Sequence, residues 1–302
     1  MSSTQTADVT TPVAPPISPP GRTWVRPIGW ARRAVFFAVC TGLAIIFIYP
    51  FIWAVSASLK PRESVFDNQI VPSNWEPSNY RTVWESASLG RWLLNSVEVG
   101  FLAAATVTLS SAIVAFGFAY FRFPGRNFLF GLVLATMMLP FAVTMIPVFL
   151  IWNELGLVNT KVPLWAMNLF GSAFYIFLLR QFFLGIPREL FEAARVDGDN
   201  FFTMFWRIAL PLAKPALVVA FIFELQASWN DLIKPLIYLQ DPNLYTIPLG
   251  LKTVLDGFGQ SGEMQWEIVL AATVIATVPM IVIFFLGQRY FVEGIAASGR
   301  KG

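Results

Sequence analysis

Long apolar runs alternate with short polar stretches along this chain. Scanning for runs near the roughly 20 residues a helix needs to cross about 30 Å of hydrocarbon picks out segments 34–57, 93–120, 128–151, 164–185, 215–238 and 267–287. Each is predicted to be helical, because hydrocarbon offers an open strand no partner for its backbone groups. The first run is longer than the apolar core of about 7 to 15 residues in a secretory signal, and it begins only after Arg33. The small residues Ala54–Ser58 behind it therefore do not read as a cleavage site.

The polar stretches differ in kind. Residues 1–33 carry "TTPVAPPISPPGR", proline-rich and without periodicity, which predicts a disordered tail. Segments 59–92 and 239–266 contain "PSNWEPSNY" and "DPNLYTIPLGLKTVLDGFGQSGEM", rich in turn-forming residues, and "SNYRTVWESA" reads as a short interfacial helix. Basic residues are unequally divided between the two sides. One side holds Arg22, Arg26, Arg32, Arg33, Arg122, Arg126, Arg180, Arg188, Arg195, Arg207, Lys214, Arg289, Arg300 and Lys301; the other holds Lys60, Arg62, Arg81, Arg91, Lys161 and Lys252. The positive-inside rule puts both termini in the cytoplasm.

Composition agrees with an integral membrane protein: 56% of the 302 residues are hydrophobic and 13% charged, against about 25% charged in a soluble domain. Mean hydropathy is +0.62. The chain has no histidine and a single cysteine, Cys40, which removes Cys/His metal clusters, histidine-activated nucleophiles and an internal disulfide. There is no phosphate-binding G-x-x-x-x-G-K-[ST] loop. No catalytic residue, metal or cofactor is expected.

One stretch breaks the apolar rhythm. Between the fourth and fifth runs, Arg188, Glu189, Glu192, Arg195, Asp197, Asp199, Arg207 and Lys214 crowd together, and at about 2.5–3.5 kcal/mol per charge at mid-bilayer they cannot span. Pro187 suits a first helical turn, Glu189 and Glu192 fall near the positive end of the helix dipole, and Gly198 is placed to close the helix in a left-handed conformation. Asp199 or Asn200 then caps a second piece, "FFTMFWRIAL", which Pro211 is predicted to end. Phe201, Phe202, Phe205, Trp206 and Ile208 give that piece more apolar surface than a short cytosolic helix tolerates alone. Two blunt helices joined at a glycine read either as a knob for a socket or as an amphipathic linker on the membrane surface.

The run "EAARVDGDNFFTMFWRIALP" resembles the EAA loop of ATP-binding-cassette importer permeases, E-A-A-x(3)-G-x(9)-I-x-L-P, at Glu192, Ala193, Ala194, Gly198, Ile208, Leu210 and Pro211. The surrounding "IPRELFEAARVDGDNFFTMFWRIALPLAKPAL", "WNDLIKPLIYL", the pairs at Pro140 and Pro147 and the closing "QRYFVEGIAASGRKG" resemble the carbohydrate-uptake, maltose-type second permease, over about residues 30–302. The resemblance implies a heterodimer with a homologous permease, two cytosolic ATPase subunits and an extracytoplasmic sugar-binding protein. It also implies that Glu192, Ala193, Ala194, Asp197, Gly198, Phe205, Ile208 and Pro211 couple the chain to an ATPase groove. Asp199, where the family usually has a small residue, and Lys234, where it usually has an apolar or aromatic one, are departures.

The fifth run holds "ELQASWNDLIKP". By helix rise from Pro215, Glu224 lies about 14 Å deep, near the midplane, and Glu224, Ser228 and Asp231 at i, i+4, i+7 are predicted to share a face. Gln226 and Asn230 form a second polar pair beside it. Ionisable groups at that depth face a bundle interior or a water-filled path, and Gln226, Trp229 and Asn230 are residue types that meet sugar hydroxyls and ring faces. A local ion pair is the competing reading for Asp231 with Lys234, whereas Glu224 has no partner on its own helix. Asn95, Glu98, Asn168 and Ser172 read as glue between helices, and Pro140, Pro147 and Pro279 as bends.

The sequence thus predicts an all-α integral membrane protein: six transmembrane helices over 34–290, a cytoplasmic coupling loop at 187–214 and a C-terminal tail at 291–302. The function expected is the permease subunit of an ATP-driven importer in a bacterial-type inner membrane, carrying a sugar from its binding protein. A permease for glycerol phosphate, a polyamine or a peptide is the alternative within the class. An ion-driven carrier built on Glu224 is the rival outside it, and it leaves the charged loop unexplained.

Overall fold

The computed structural model describes residues 29–259 and 265–299; the predicted proline-rich tail lies almost wholly outside them. The described residues are helical throughout, without a strand. In order they form α1 (Trp30–Ser58), α2 (Ser78–Ser86), α3 (Leu89–Tyr120), α4 (Arg126–Thr136), α5 (Phe141–Glu154) and α6 (Val162–Trp165). Then follow α7 (Ala173–Phe183), α8 (Arg188–Val196), α9 (Phe201–Met204), α10 (Leu210–Leu212), α11 (Lys214–Trp229), α12 (Ile233–Tyr238), α13 (Ile247–Gly259) and α14 (Trp266–Gly299).

The chain divides into two units after Pro50. The first contributes the part of α1 up to Pro50, whose described side chains are all exposed. The second, from Phe51 onward, carries everything that follows.

Helix α3 is the axis of the second unit, packed against both α7 and α11. Gly100, Ala103, Ala104, Ser111, Ala112, Ala115 and Ala119 give it a buried small-residue face that lets neighbouring backbones close in. A Cβ on Gly100 would sit 2.8 Å from Leu225 Cδ1, so the α3–α11 approach depends on its absence.

Three helices are long and apolar enough to cross a membrane by themselves, Arg32–Ser58, Leu89–Tyr120 and Trp266–Arg289. The other predicted spans are broken, a correction to the continuous helices expected. The third bends by 94° between α4 and α5, where Pro140 precedes α5 in extended backbone (ψ 139°) instead of merely bending a helix. The fourth bends by 41° between 162–170 and α7, at Gly171 with φ +78°. The fifth ends at Trp229, not 238, and Asp231 falls in the gap before α12. Pro147 and Pro279, by contrast, sit inside helices that continue past them. The region from 291, read as a tail, continues α14 to Gly299.

The loop after α1 is pinned from within. Lys60, 1% exposed, pairs with Asp67 and donates to the Gln69 carbonyl; its hydrogen bond holds the Asp67 carboxyl below the usual range. Asn79, on the short helix that the sequence predicted, donates to the carbonyls of Ser58 and Lys60 at 3.0 and 2.9 Å.

At the far end of the bundle from the charged run, α3 holds the 240–247 strap by hydrogen bonds. Trp92 Nε1 donates to Pro242 O at 2.9 Å, Asn95 Nδ2 to Asn243 O and Tyr245 O at 2.9 and 3.0 Å, and Ile247 N–H to Ser96 Oγ at 2.7 Å. Asn159 Oδ1 accepts from the backbone N–H groups of Gln240 and Asp241, both at 2.9 Å. Helix α13, which follows, replaces what the sequence presents as a run of turns.

Candidate functional site

The 187–214 segment folds as two helical pieces about a glycine hinge. Helix α8 ends with Gly198 at φ +89°, Asp199 N–H donating to Ala194 O at 2.9 Å and Gly198 N–H to Arg195 O at 3.2 Å. Those two bonds satisfy carbonyls the helix end would otherwise leave bare. Asn200, not Asp199, caps the second piece: its Oδ1 accepts from Thr203 N–H at 2.8 Å.

Pro211 does not end that piece. Residues 205–209 form a π turn, in which Leu210 N–H reaches back to Phe205 O, and the chain stays helical to Leu212 before turning at Ala213. In an α-helix the proline ring would meet the carbonyl four residues back; the wider turn relieves that crowding. The axis then bends by 78° into α11.

The segment has a buried root and an exposed crown. Phe191, Ala194, Met204, Phe205 and Ala209 are buried against the ends of α3 and α7. Phe116 lies 5.9 Å from Phe191 and 5.4 Å from Phe205, Tyr120 lies 5.2 Å from Phe191, and Phe121 lies 4.8 Å from Phe201. Glu192, Ala193, Arg195, Val196, Asp197, Gly198, Phe202 and Trp206 are exposed. Two residues expected at the contact surface therefore point the other way: Ala194 and Phe205 are 8% and 6% exposed, and Ile208 is half-buried. The reason is helical periodicity, since one face of each short piece must be spent on the bundle. Val196 and Phe202, 87% and 72% exposed, are crown residues that the motif alone does not mark.

A second arrangement lies inside the bundle. Asn168 Nδ2 donates to Glu224 Oε1 at 2.7 Å and to Ala103 O at 3.2 Å, while Ser110 Oγ donates to Asn168 O at 2.8 Å. The Tyr175 hydroxyl faces the same carboxylate. Next to it, the broken fourth span is anchored by Ser172 N–H donating to Ser111 Oγ at 3.1 Å. Glu224 thus has a partner across the bundle that its own helix does not supply.

Of the other predicted path residues, Gln226 and Asn230 are exposed and share a face, Asn230 Nδ2 donating to Gln226 O at 2.9 Å. Ser228 faces α3 at Gly100. Trp229 is 4% exposed and packs with Trp92 and Ile247, so it offers no ring face to a solute. Asp231 does not share the Glu224 face, because the helix has ended; it accepts from Ile233 and Lys234 N–H and pairs with Lys234 Nζ at 3.1 Å.

Comparison with known proteins gives a consistent picture. Residues 108–296 match the family described as binding-protein-dependent transport system inner membrane component. The chain is 36% identical over 263 residues to a probable ABC transporter permease, YurM, of Bacillus subtilis, covering 85% of each chain. It is 34% identical to the arabinooligosaccharides transport system permease AraQ of Halalkalibacterium halodurans, over 86% of this chain and 93% of that one. It is 33% identical to the sn-glycerol-3-phosphate permease UgpE of Yersinia pestis, over 85% and 93%. A crystal structure of a bacterial ABC transporter importing the polysaccharide alginate contains a chain with the same fold, TM-score 0.75 at 24% identity, over 86% of this chain and 96% of that one.

Proposed function

The chain belongs to the binding-protein-dependent transport system inner membrane component family, and from that premise we propose that it is the sugar-conducting permease subunit of an ATP-driven importer, coupled to its motor through the 187–214 crown. It is a membrane transport subunit. In this reading the three long helices and the bent pairs make six spans with both termini cytoplasmic. A second permease completes the path, two ATPase subunits sit beneath, and a binding protein delivers the solute.

The observation that carries the coupling is the two-sided 187–214 segment. A root of interlocked rings fixes it to α3 and α7, and a crown of Glu192, Ala193, Val196 and Gly198 stands free. Small residues let a partner backbone approach, and Val196 and Phe202 supply apolar area. ATP-driven movement of the socket biases the bundle between inward- and outward-open states. Pro211, exposed after the π turn, lies where that displacement passes into α11.

The path follows the exposed face of α11 at Gln226 and Asn230, with Glu224 half-buried behind it. An oligosaccharide is the favoured solute because relatives named for arabinooligosaccharides and lactose match nearly full length. Glycerol phosphate is the second reading, favoured by the named relative at 33% identity.

The test expresses the chain with its genomic neighbours and compares wild type with Gly198→Asp, which adds a charged side chain at φ +89°. The expected result is an intact permease pair without its ATPase and with ATP-dependent oligosaccharide uptake abolished. An ATPase that stays bound to the variant, or uptake by wild type that follows an ion gradient instead of ATP, overturns the reading.

A further inference from the structure

Between the end of α3 and the start of α8 lies a pocket of about 490 Å³ whose lining includes Arg122, Phe123, Gly125, Arg126, Phe128 and Arg188. No aspartate or glutamate lines it. Among the described residues no ion pair engages any of the three arginines. Arg126 Nη1 donates only to the Phe121 carbonyl, at 3.2 Å. A fourth arginine, Arg180, stacks 4.2 Å from the centre of the Phe130 ring and lies close enough to Arg126 for their charges to repel. Its buried Nε has no hydrogen-bond partner.

Two helices begin at this pocket, α4 at Arg126 and α8 at Arg188, and neither has a side-chain cap. Arg126 N–H donates to Phe123 O at 3.3 Å and Glu189 stands in the first turn of α8, so the remaining first-turn N–H groups of α4 are what add positive potential to that of the guanidinium groups. Three guanidinium groups lining one pocket with no carboxylate among them suit an anion supplied from outside the chain. Guanidinium forks match the oxygens of a phosphate.

The surroundings choose which phosphate. From the pocket rim α4 presents Phe128, 75% exposed, and one turn on Leu132, 56% exposed, an apolar stripe beginning where the arginines end. That sequence, cationic pocket then bare hydrocarbon-facing helix, has the profile of a headgroup and the acyl chains beneath it. We propose that Arg122, Arg126 and Arg188 bind the headgroup of an anionic phospholipid, whose chains lie along Phe128 and Leu132. The site rests on the six-span, cytoplasm-inside reading above, and it joins the root of the crown directly to the bilayer, since Arg188 opens α8.

Native mass spectrometry of the purified complex, supplied with phosphatidylglycerol or with phosphatidylcholine, tests this. Wild type is expected to retain phosphatidylglycerol, and retention is expected to fall about fivefold for each of Arg122→Gln and Arg188→Gln, the weight of one basic residue at a charged membrane surface. Thermal unfolding checks that each variant is folded, and Arg122→Gln alone, on an exposed position, decides the matter if the other is unstable. Equal retention by wild type and variants overturns the proposal. So does inorganic phosphate that displaces the lipid at equal concentration, which would make the site one for a free anion. Loss of the ATPase from the variants would make the pocket a protein contact and overturn it likewise. ATPase bound to wild type, read in the same spectra, reports separately on the importer assignment.

Discussion

The two ends of α3 are held by different forces. Near Tyr120 the neighbours are rings: Phe116, Tyr120 and Phe121 meet Phe191, Phe201 and Phe205 at centroid distances of 4.8–5.9 Å. Near Trp92 apolar packing with Trp229 and Ile247 is joined by hydrogen bonds from Trp92 and Asn95 to the carbonyls of 242, 243 and 245, and from Ile247 N–H to Ser96. Ring packing holds its partners in contact without demanding one angle between them, because apolar burial is non-directional. Hydrogen bonds lose strength steeply once their angle is lost. A joint that transmits motion belongs at the first kind of contact, and a frame that holds register at the second.

Truncating one partner on each side breaks the comparison most sharply. Phe205→Ala is expected to lower stability by about 3–5 kcal/mol, the usual cost of removing a buried aromatic, and to release ATPase even though Phe205 is not on the crown. Denaturant unfolding and co-purification read the two effects. Asn95→Ala removes three hydrogen bonds, two donated to the carbonyls of Asn243 and Tyr245 and one accepted from Lys161 Nζ at 3.3 Å, an expected loss of about 1–3 kcal/mol, with the ATPase retained. If Asn95→Ala released ATPase as readily as Phe205→Ala, the division into joint and frame would be wrong.

A smaller effect sharpens the picture of the 59–80 loop. Asp67 has its pKa lowered by Lys60, so its contribution is present above the unfolded-state value near 3.8 and is lost as pH falls through the lower folded value. Limited proteolysis of the 59–80 loop is expected to be unchanged from neutral pH down to about pH 4 and to increase below it. Asp67→Asn is expected to show the same sensitivity already at neutral pH, because it leaves the buried Lys60 ammonium without a counter-charge.

Much of the 187–214 segment was legible in the sequence, and less of the rest. The hinge at Gly198 was readable because a positive φ after a helix favours a residue without a Cβ, and a cap at Asp199 or Asn200 because few residue types can accept from N3; that Asn200 makes it came from the structure. The burial of Ala194 and Phe205 was not, because a motif states which residues recur and not which face they occupy. Breaks at Pro140, Gly171 and Asp231 were hidden by uniform hydrophobicity, which reports length in the membrane and not continuity of the helix. The Glu224–Asn168 pair joins residues far apart in the chain, and periodicity within one helix carries no information about that.

The π turn at 205–209 holds one residue more than an ordinary helical turn. Deleting a single residue there would restore an α-helix. The flanking helix would keep its register, because the wide turn already absorbs the extra residue, but the Pro211 ring would be driven against the preceding turn. The fold of the segment, as distinct from its coupling, is therefore more sensitive to length than to crown side chains: a three-base deletion in this part of the gene is expected to lower the amount of folded protein, which Gly198→Asp leaves intact.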